Sequence, residues 1–280
     1  MNNIDCLVLD AETLFSADDC RHCGTALSHH YADGACVPWE GERPEDDVTQ
    51  FSAIGWHNRP ALGLSIGFSY WYGTRRMEPF DATGVETLLT RIVQEEPFVV
   101  GFNHAEFDMV LLRGLLRRHA DTLRLAKPSY VPGAPDMPAS MEEFATAEAF
   151  GRYQSLTDLC DRVKAYCQGP RCYDVLLEIW SADPSSKKVK GLNGLDAIAR
   201  ANGLGATVES GALMPQYWRD GKYASVILHC MADVKRTVLL LEMALRGEPL
   251  QRLDYAPVRL AVPEALQVWW DMQPRRQRGA

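Results

Sequence analysis

Ile4-Asp5-Cys6-Leu7-Val8-Leu9-Asp10-Ala11-Glu12-Thr13 is the stretch on which the reading of the fold turns. Its apolar run predicts a buried strand over 4–10. Side chains alternate between the two faces of a strand, so residues two apart share one face. Asp10 and Glu12 therefore stand side by side at the C-terminal edge of that strand. Carboxylates held this close repel unless a proton or a cation lies between them. A hard divalent cation bound by carboxylate oxygens relieves that repulsion. An acidic turn after a strand is the other reading of the same residues.

Outward from this strand, residues 61–72 and 78–80 favour β-structure and predict a meander. Helical spacing predicts a helix over 84–95, and 98–102 predicts a short strand leading into a helix over about 107–119. Residues 127–140 carry four prolines and a glycine and predict a linker. Helices are expected over roughly 141–167, from Cys172 to Trp180, over 192–202 and, longest, over 223–245. The stretch after Pro249 is expected to fray or to pack as an extension. This alternation predicts an α/β fold, a mixed β-sheet flanked by helices. The expected organisation is one domain over 1–250, an irregular Cys-containing insertion at 16–50 and a C-terminal extension at 251–280.

The chain has 280 residues, with 37 Asp and Glu against 29 Lys and Arg, a net charge of −8. That balance argues against a protein that coats nucleic acid without selectivity, because such proteins are usually basic. It is compatible with a site that holds cations and admits a polyanion locally. No apolar run approaches the about 18 residues of a membrane helix, and the first residues lack the features of an export signal. A cytoplasmic protein without membrane contact is expected. The 8 cysteines are scattered, which favours metal binding or buried thiols over a disulfide framework.

Two further segments bear carboxylates where chemistry would need them. Gly101-Phe102-Asn103-His104-Ala105-Glu106-Phe107-Asp108 leaves a strand and enters a helix, with Asp108 near the helix start. An acidic residue is also favoured there by the helix dipole alone. His229-Cys230-Met231-Ala232-Asp233 lies within the long helical pattern, where positions i and i+4 share a face. A solvated surface pair is the ordinary reading of that spacing.

Taken together, these segments resemble the motifs of the DEDD superfamily of 3′–5′ exonucleases. The resemblance covers most of 4–245 apart from the insertion. Asp10 and Glu12 match its first motif, Asn103, Phe107 and Asp108 its second, and Asp233 its third. The Cys172-Tyr173-Asp174-Val175-Leu176 stretch and the run from Gly221 to Val234 look like the subgroup related to the proofreading domain of family B DNA polymerases. His229 departs from that subgroup: it has the spacing of the tyrosine class but the residue of the histidine class.

The resemblance implies an RNase H-like fold and hydrolysis of phosphodiesters at nucleic-acid 3′ ends with two Mg²⁺ or Mn²⁺ ions. Asp10, Glu12 and Asp233 would hold one ion, and Asp10 with Asp108 the other. His229 would accept the proton of the attacking water. Backbone groups near Thr13 and Leu14 would bind the terminal hydroxyl, and Asn103 and Phe107 would position the terminal nucleotide. Phe107 reads equally well as a core residue. Single-stranded DNA is the favoured substrate. An RNA-trimming exoribonuclease is the alternative within the same chemistry, and a non-catalytic nucleic-acid-binding or scaffold module the alternative outside it.

Cys20-Arg21-His22-Cys23 has the spacing that lets two thiolates share a tetrahedral Zn²⁺, with His29, His30 and Cys36 nearby to complete a set. A polar loop with free thiols is the competing reading. Cys6, Cys160, Cys167, Cys172 and Cys230 are expected in the core. Lys187, Lys188 and Lys190 read as a phosphate-contacting cluster or a solvated loop. Trp269-Trp270 reads as a base-stacking platform or, preferably, as the patch that packs the tail on the body.

Overall fold

The computed structural model describes residues 4–15, 62–124, 144–189, 191–205 and 210–273, together with Arg59 and the backbone of 29–32 and 35–38. The expected first strand is β1 (Cys6–Thr13), and Cys6, Leu7, Val8 and Leu9 are all essentially inaccessible. Both faces of β1 are covered, so the run is continuous in apolar character rather than alternating. Alternation still sorts its side chains. Leu7, Leu9 and Ala11 join one hydrophobic cluster, while Cys6 and Val8 join another on the opposite face.

The strand runs three residues past its expected end at 10. Within the segment expected to be an irregular insertion, β2 (His29–Ala32) and β3 (Ala35–Pro38) form a two-stranded antiparallel sheet. β4 (Leu64–Trp71) and β5 (Arg76–Phe80) form the expected meander. β4 pairs with β1 from Leu7 through Thr13, and this pairing is what extends β1. Next come α1 (Val85–Glu95), β6 (Phe98–Gly101) and α2 (Asp108–Asp121). β6 runs parallel to β1 but pairs only with Cys6, Leu7 and Val8. Beyond Val8, β1 is therefore paired with a strand on one side only, and the other side opens where Asp10 and Glu12 stand.

α3 (Ala147–Cys167) starts later than the expected 141, because Thr146 caps it by accepting a hydrogen bond from the Ala149 N–H at 3.0 Å. The expected helix from Cys172 begins instead with a strand, β7 (Cys172–Asp174), parallel to β6. Three residues are too few to carry a strand period, so sheet pairing decides their conformation. α4 (Val175–Ala182) follows directly, then α5 (Leu195–Ala201), which starts behind Gly194 rather than at 192. α6 (Met214–Arg219) leads into α7 (Tyr223–Leu245), which matches the expected long helix.

The described part of the tail, residues 250–273, packs on the body. β8 (Leu250–Gln251) and β9 (Pro257–Val258) pair, and α8 (Glu264–Met272) follows. Trp269 and Trp270 are 3% and 2% exposed, and the Trp269 indole N–H donates to the Ile4 carbonyl at 2.8 Å. This burial removes the stacking-platform reading and leaves the packing one.

The resulting architecture is α/β. A mixed five-stranded sheet in the order β5-β4-β1-β6-β7 has helices on both faces. α1, α2 and α3 share the cluster containing Leu7 and Leu9, while α4, α5, α7 and α8 share the cluster containing Cys6 and Val8. Gly67 in β4 is required by this packing, since a Cβ there would lie 2.1 Å from the Phe80 ring. Among the described residues, no helix is long and apolar enough to cross a membrane.

Candidate active site

The site is built at the C-terminal end of β1, where β1 and β6 part. Ligand sites in α/β sheets commonly lie at the carboxyl ends of parallel strands. Asp10 and Glu12 continue the face of β1 that carries Cys6 and Val8, which is the face covered by α7. The same helix carries Cys230 and Val234 in that cluster, so packing on β1 also brings His229 and Asp233 to the carboxylates.

Three sequence segments meet here. His229 Nε2 lies 3.8 Å from Glu12 Oε1 and 3.5 Å from Asp233 Oδ2. His229 is 7% exposed, and the Gly211 backbone covers its ring so closely that a Cβ on Gly211 would lie 3.3 Å from Nε2. Asp108, 3% exposed at the first turn of α2, accepts a hydrogen bond from the Ala11 N–H. All five residues expected to be catalytic are thus gathered around the end of one strand.

Burial and mutual repulsion govern the electrostatics. Asp10 is pushed up to about 7 from 3.8, first by burial and then by the charge of Asp233, with a hydrogen bond from Cys230 opposing. Glu12 and Asp108 are raised well above the ordinary carboxylate range, again by burial first and then by neighbouring carboxylates. Asp233 is raised by burial, and the neighbouring His229 and Arg236 oppose that shift. A desolvated group of like charges favours protons or a bound cation. Ligand atoms of Asp10, Glu12 and Cys230 lie within 4.8 Å of one another, as do those of Glu12, His229 and Asp233.

Several contributors escape a reading of the motifs alone. Cys230 Sγ is 3.2 Å from Asp10 Oδ2 and 3.5 Å from the Asp10 carbonyl. It lies three positions before Asp233 on the same helical face, so helical spacing could have found it. Arg236 is 6% exposed and reaches Asp233 Oδ1 at 2.8 Å and Asp196 Oδ1 at 2.9 Å. It thereby fixes one oxygen of Asp233 while the other faces His229.

Asp174 is the third contributor. Its carboxylate accepts from the N–H groups of Asn103 at 2.9 Å and Ala105 at 3.0 Å, and from Leu176 at 3.0 Å and Leu177 at 3.3 Å at the start of α4. His104 Nδ1 lies 3.4 Å away. Burial pushes the Asp174 carboxyl up, but His104 and the N–H groups outweigh it and hold the group below its ordinary value. The clamp lets Asn103 keep a left-handed φ of 65° and sets the turn into α2, where the Phe107 N–H donates to the Asn103 carbonyl at 3.0 Å. An Asp immediately before a helix is a capping signal in the sequence, although its reach back to 103–105 is not.

The residues expected to bind substrate are distributed around this centre. Asn103 lines a cleft shared with Asp10 and Asp233. Phe107 packs with Phe15 and Leu62 in a small cluster of its own, under Arg59. Thr13 ends β1 at a bulge. The Leu14 N–H donates to the Gly63 carbonyl at 3.3 Å, and the Leu14 carbonyl accepts from Arg219 at 3.4 Å, so both backbone groups already have protein partners. Lys187 lines the same cleft as Asn103. The expected zinc set of Cys20, Cys23, His29 and Cys36 lies outside the described residues, apart from the backbone of β2 and β3.

No protein-family profile, no curated protein and no solved structure matches this chain.

Proposed function

We propose that the chain is a metal-dependent 3′–5′ exonuclease of RNase H-like fold, with single-stranded DNA as the favoured substrate. The observation that carries this reading is the convergence of Asp10, Glu12, Asp108 and Asp233, from three distant segments, at one end of β1. The motif order and the mixed sheet flanked by helices support it.

The donor set fits hard divalent cations. It is rich in carboxylate oxygens, desolvated and mutually repulsive, which suits Mg²⁺ or Mn²⁺. Asp10, Glu12 and Asp233 would hold one ion, and Asp10 and Asp108 a second. Bound ions would supply an activated water and stabilisation of the leaving 3′ oxygen.

The chain's own groups do the rest. His229 Nε2, held between Glu12 and Asp233, is placed to take a proton near those carboxylates. Arg236 keeps Asp233 oriented, and the Asp174 clamp keeps Asn103 and Asp108 in register with β1. Desolvation of the cluster strengthens the pull of its carboxylates on a cation.

The test is incubation of 3′-labelled and 5′-labelled single-stranded DNA, duplex DNA and RNA with Mn²⁺ or with EDTA. Stepwise shortening from the 3′ end, dependent on the metal and lost in Asp10→Ala, is expected. Activity retained in Asp10→Ala removes the reading. Preferential trimming of RNA reassigns the substrate, and binding without product formation reassigns the protein to a non-catalytic role.

A further inference from the structure

Among the described residues, Cys6, Cys160 and Cys230 are buried, whereas Cys167 at the end of α3 and Cys172 at the start of β7 are half-buried free thiols. The turn Gln168-Gly169-Pro170-Arg171 joins them. The Gly169 N–H donates to the Tyr166 carbonyl at 3.0 Å, the Cys172 N–H donates to the Gly169 carbonyl at 3.3 Å, and Arg171 ties the turn to Glu96 Oε2 at 2.9 Å. This turn brings the two thiols into a hydrogen bond with one another. A bond between sulfurs already held side by side has little chain entropy left to lose.

The two thiols are unequal. The Cys172 thiol holds its neighbour Cys167 below the ordinary value against the opposing effect of burial, and the charge of Arg113 adds to the lowering. The same contact, with burial, pushes Cys172 up, so Cys172 keeps its proton. Cys167 therefore has the more thiolate character, and thiolate is the form that a peroxide oxidises.

Cys172 also faces inward. Its Sγ lies 3.2 Å from His104 Nε2, and His104 Nδ1 lies 3.4 Å from Asp174 Oδ2. That carboxylate accepts from the N–H groups of Asn103 and Ala105. His104 is fully buried and pressed against the Gly101 backbone, where an added Cβ would lie 2.5 Å from the His104 Cβ, so the ring cannot follow a sulfur that moves away. A buried ring nitrogen that loses its partner has no water to replace it.

We propose that Cys167 and Cys172 are a redox site, at which a hydroperoxide converts the thiol pair to a disulfide that draws the Cys172 sulfur from His104 and loosens the turn at 103–105. The Cys167 thiolate attacks the peroxide, forming an S–O bond, breaking the O–O bond and releasing hydroxide that is protonated to water. The Cys172 sulfur then attacks the Cys167 sulfenic acid, forming the S–S bond, and the displaced hydroxide leaves as water with the proton of Cys172. Two thiols and one hydrogen peroxide thus give one disulfide and two waters. The site lies apart from the carboxylates proposed to hold cations and goes beyond the exonuclease reading.

The test treats the reduced protein, in EDTA, with hydrogen peroxide, then blocks remaining thiols in denaturant and digests with trypsin. Cleavage after Arg171 separates the two cysteines, so only a disulfide keeps peptide 165–171 joined to peptide 172–187. The joined pair is expected, lighter by two hydrogens than the separate reduced peptides and released by dithiothreitol. Amide hydrogen exchange over 103–105 is expected to be about fivefold faster in the oxidised protein. Cys167→Ser should show neither change, and Cys167→Ala takes its place should circular dichroism show that the serine variant is unfolded. Cys167 driven to sulfinic acid without the link, pairing with a different cysteine, or no oxidation of the pair overturns the site. A linked pair with unchanged exchange, or faster exchange in the peroxide-treated variant, overturns its coupling to the turn. No readout depends on nuclease activity, so the exonuclease reading stands or falls separately.

Discussion

The thiol of Cys230 on α7 lies 3.2 Å from Oδ2 of Asp10 on β1, in the middle of a carboxylate cluster. The two residues are 220 positions apart, and only the packing of α7 across the sheet brings them together. The S–H is a weak donor to a group that burial and the charge of Asp233 otherwise push towards its protonated form. Cys230 is itself fully buried, and burial together with the neighbouring carboxylates pushes its thiol well above the ordinary range.

Two consequences follow for Cys230. In the folded protein it should resist a charged thiol reagent for hours and react at once in denaturant, since thiolate character and access control reactivity. Cys230→Ala should reduce metal-dependent activity about threefold to tenfold, while Cys230→Ser, which keeps a donor, should lose less. Rapid native-state labelling at Cys230, located by mass spectrometry, would contradict the buried placement.

The stability of the metal-free protein should fall as pH rises. For Asp10 the folded value is about 7 and the ordinary value 3.8, so the folded state holds a proton that the unfolded chain has released within that window. Folding is therefore disfavoured progressively from pH 3.8 to about 7, and Glu12, Asp108 and Asp233 shift in the same direction. Thermal melts in EDTA should give a higher Tm at pH 5 than at pH 8, apart from any general acid unfolding below that. Mg²⁺ or Mn²⁺ should raise Tm more at pH 8 than at pH 5, and equal increments at both would speak against a cation at these carboxylates.

Asp174 should matter to activity although it stands behind the cluster. Asp174→Ala removes a cap from α4 and two anchors from the turn carrying Asn103 and Ala105, and should cost about 3 kcal/mol in urea denaturation. Activity should fall more than tenfold under conditions where the variant is still folded. Asp174→Asn keeps an oxygen for Asn103 and Leu176 and should fall between the two. Full activity in a folded Asp174→Ala protein would show that the turn holds its shape without the clamp.

The C-terminal helix should be integral to the fold. Trp269 packs edge-on against Tyr72 with ring centroids 5.3 Å apart and bonds to Ile4 at the start of the chain. Trp269→Ala should destabilise by about 3–5 kcal/mol in a denaturant titration, in a single transition shared with the rest of the chain. A separate early transition for the tail would mark it as an appendage.

Much of the fold was legible because periodic burial leaves a local trace. β1, β4, β6, α1, α2 and α7 appear close to their expected positions, the helices through their spacing and the strands through their apolar, β-favouring runs. β7 did not appear, because Cys172, Tyr173 and Asp174 adopt a strand only by pairing with Val99, Val100 and Gly101. The tail was legible in part: Trp269 and Trp270 marked it as a segment that packs, but their partners Tyr72, Phe98 and Ile4 are set only by the tertiary structure.

The candidate site divides in the same way. Asp10 with Glu12, and His229 with Asp233, were pairs that strand and helix geometry alone could place on common faces. Their union into one cluster, the pressure that drives Asp10 up to about 7, and the roles of Cys230, Arg236 and Asp174 required the tertiary structure. The order of the chain determines what a strand or a helix presents on each face, because that depends on neighbours a few positions away. What meets that face is decided by packing between segments up to 265 residues apart, and desolvation, which sets the electrostatics here, exists only once they have met.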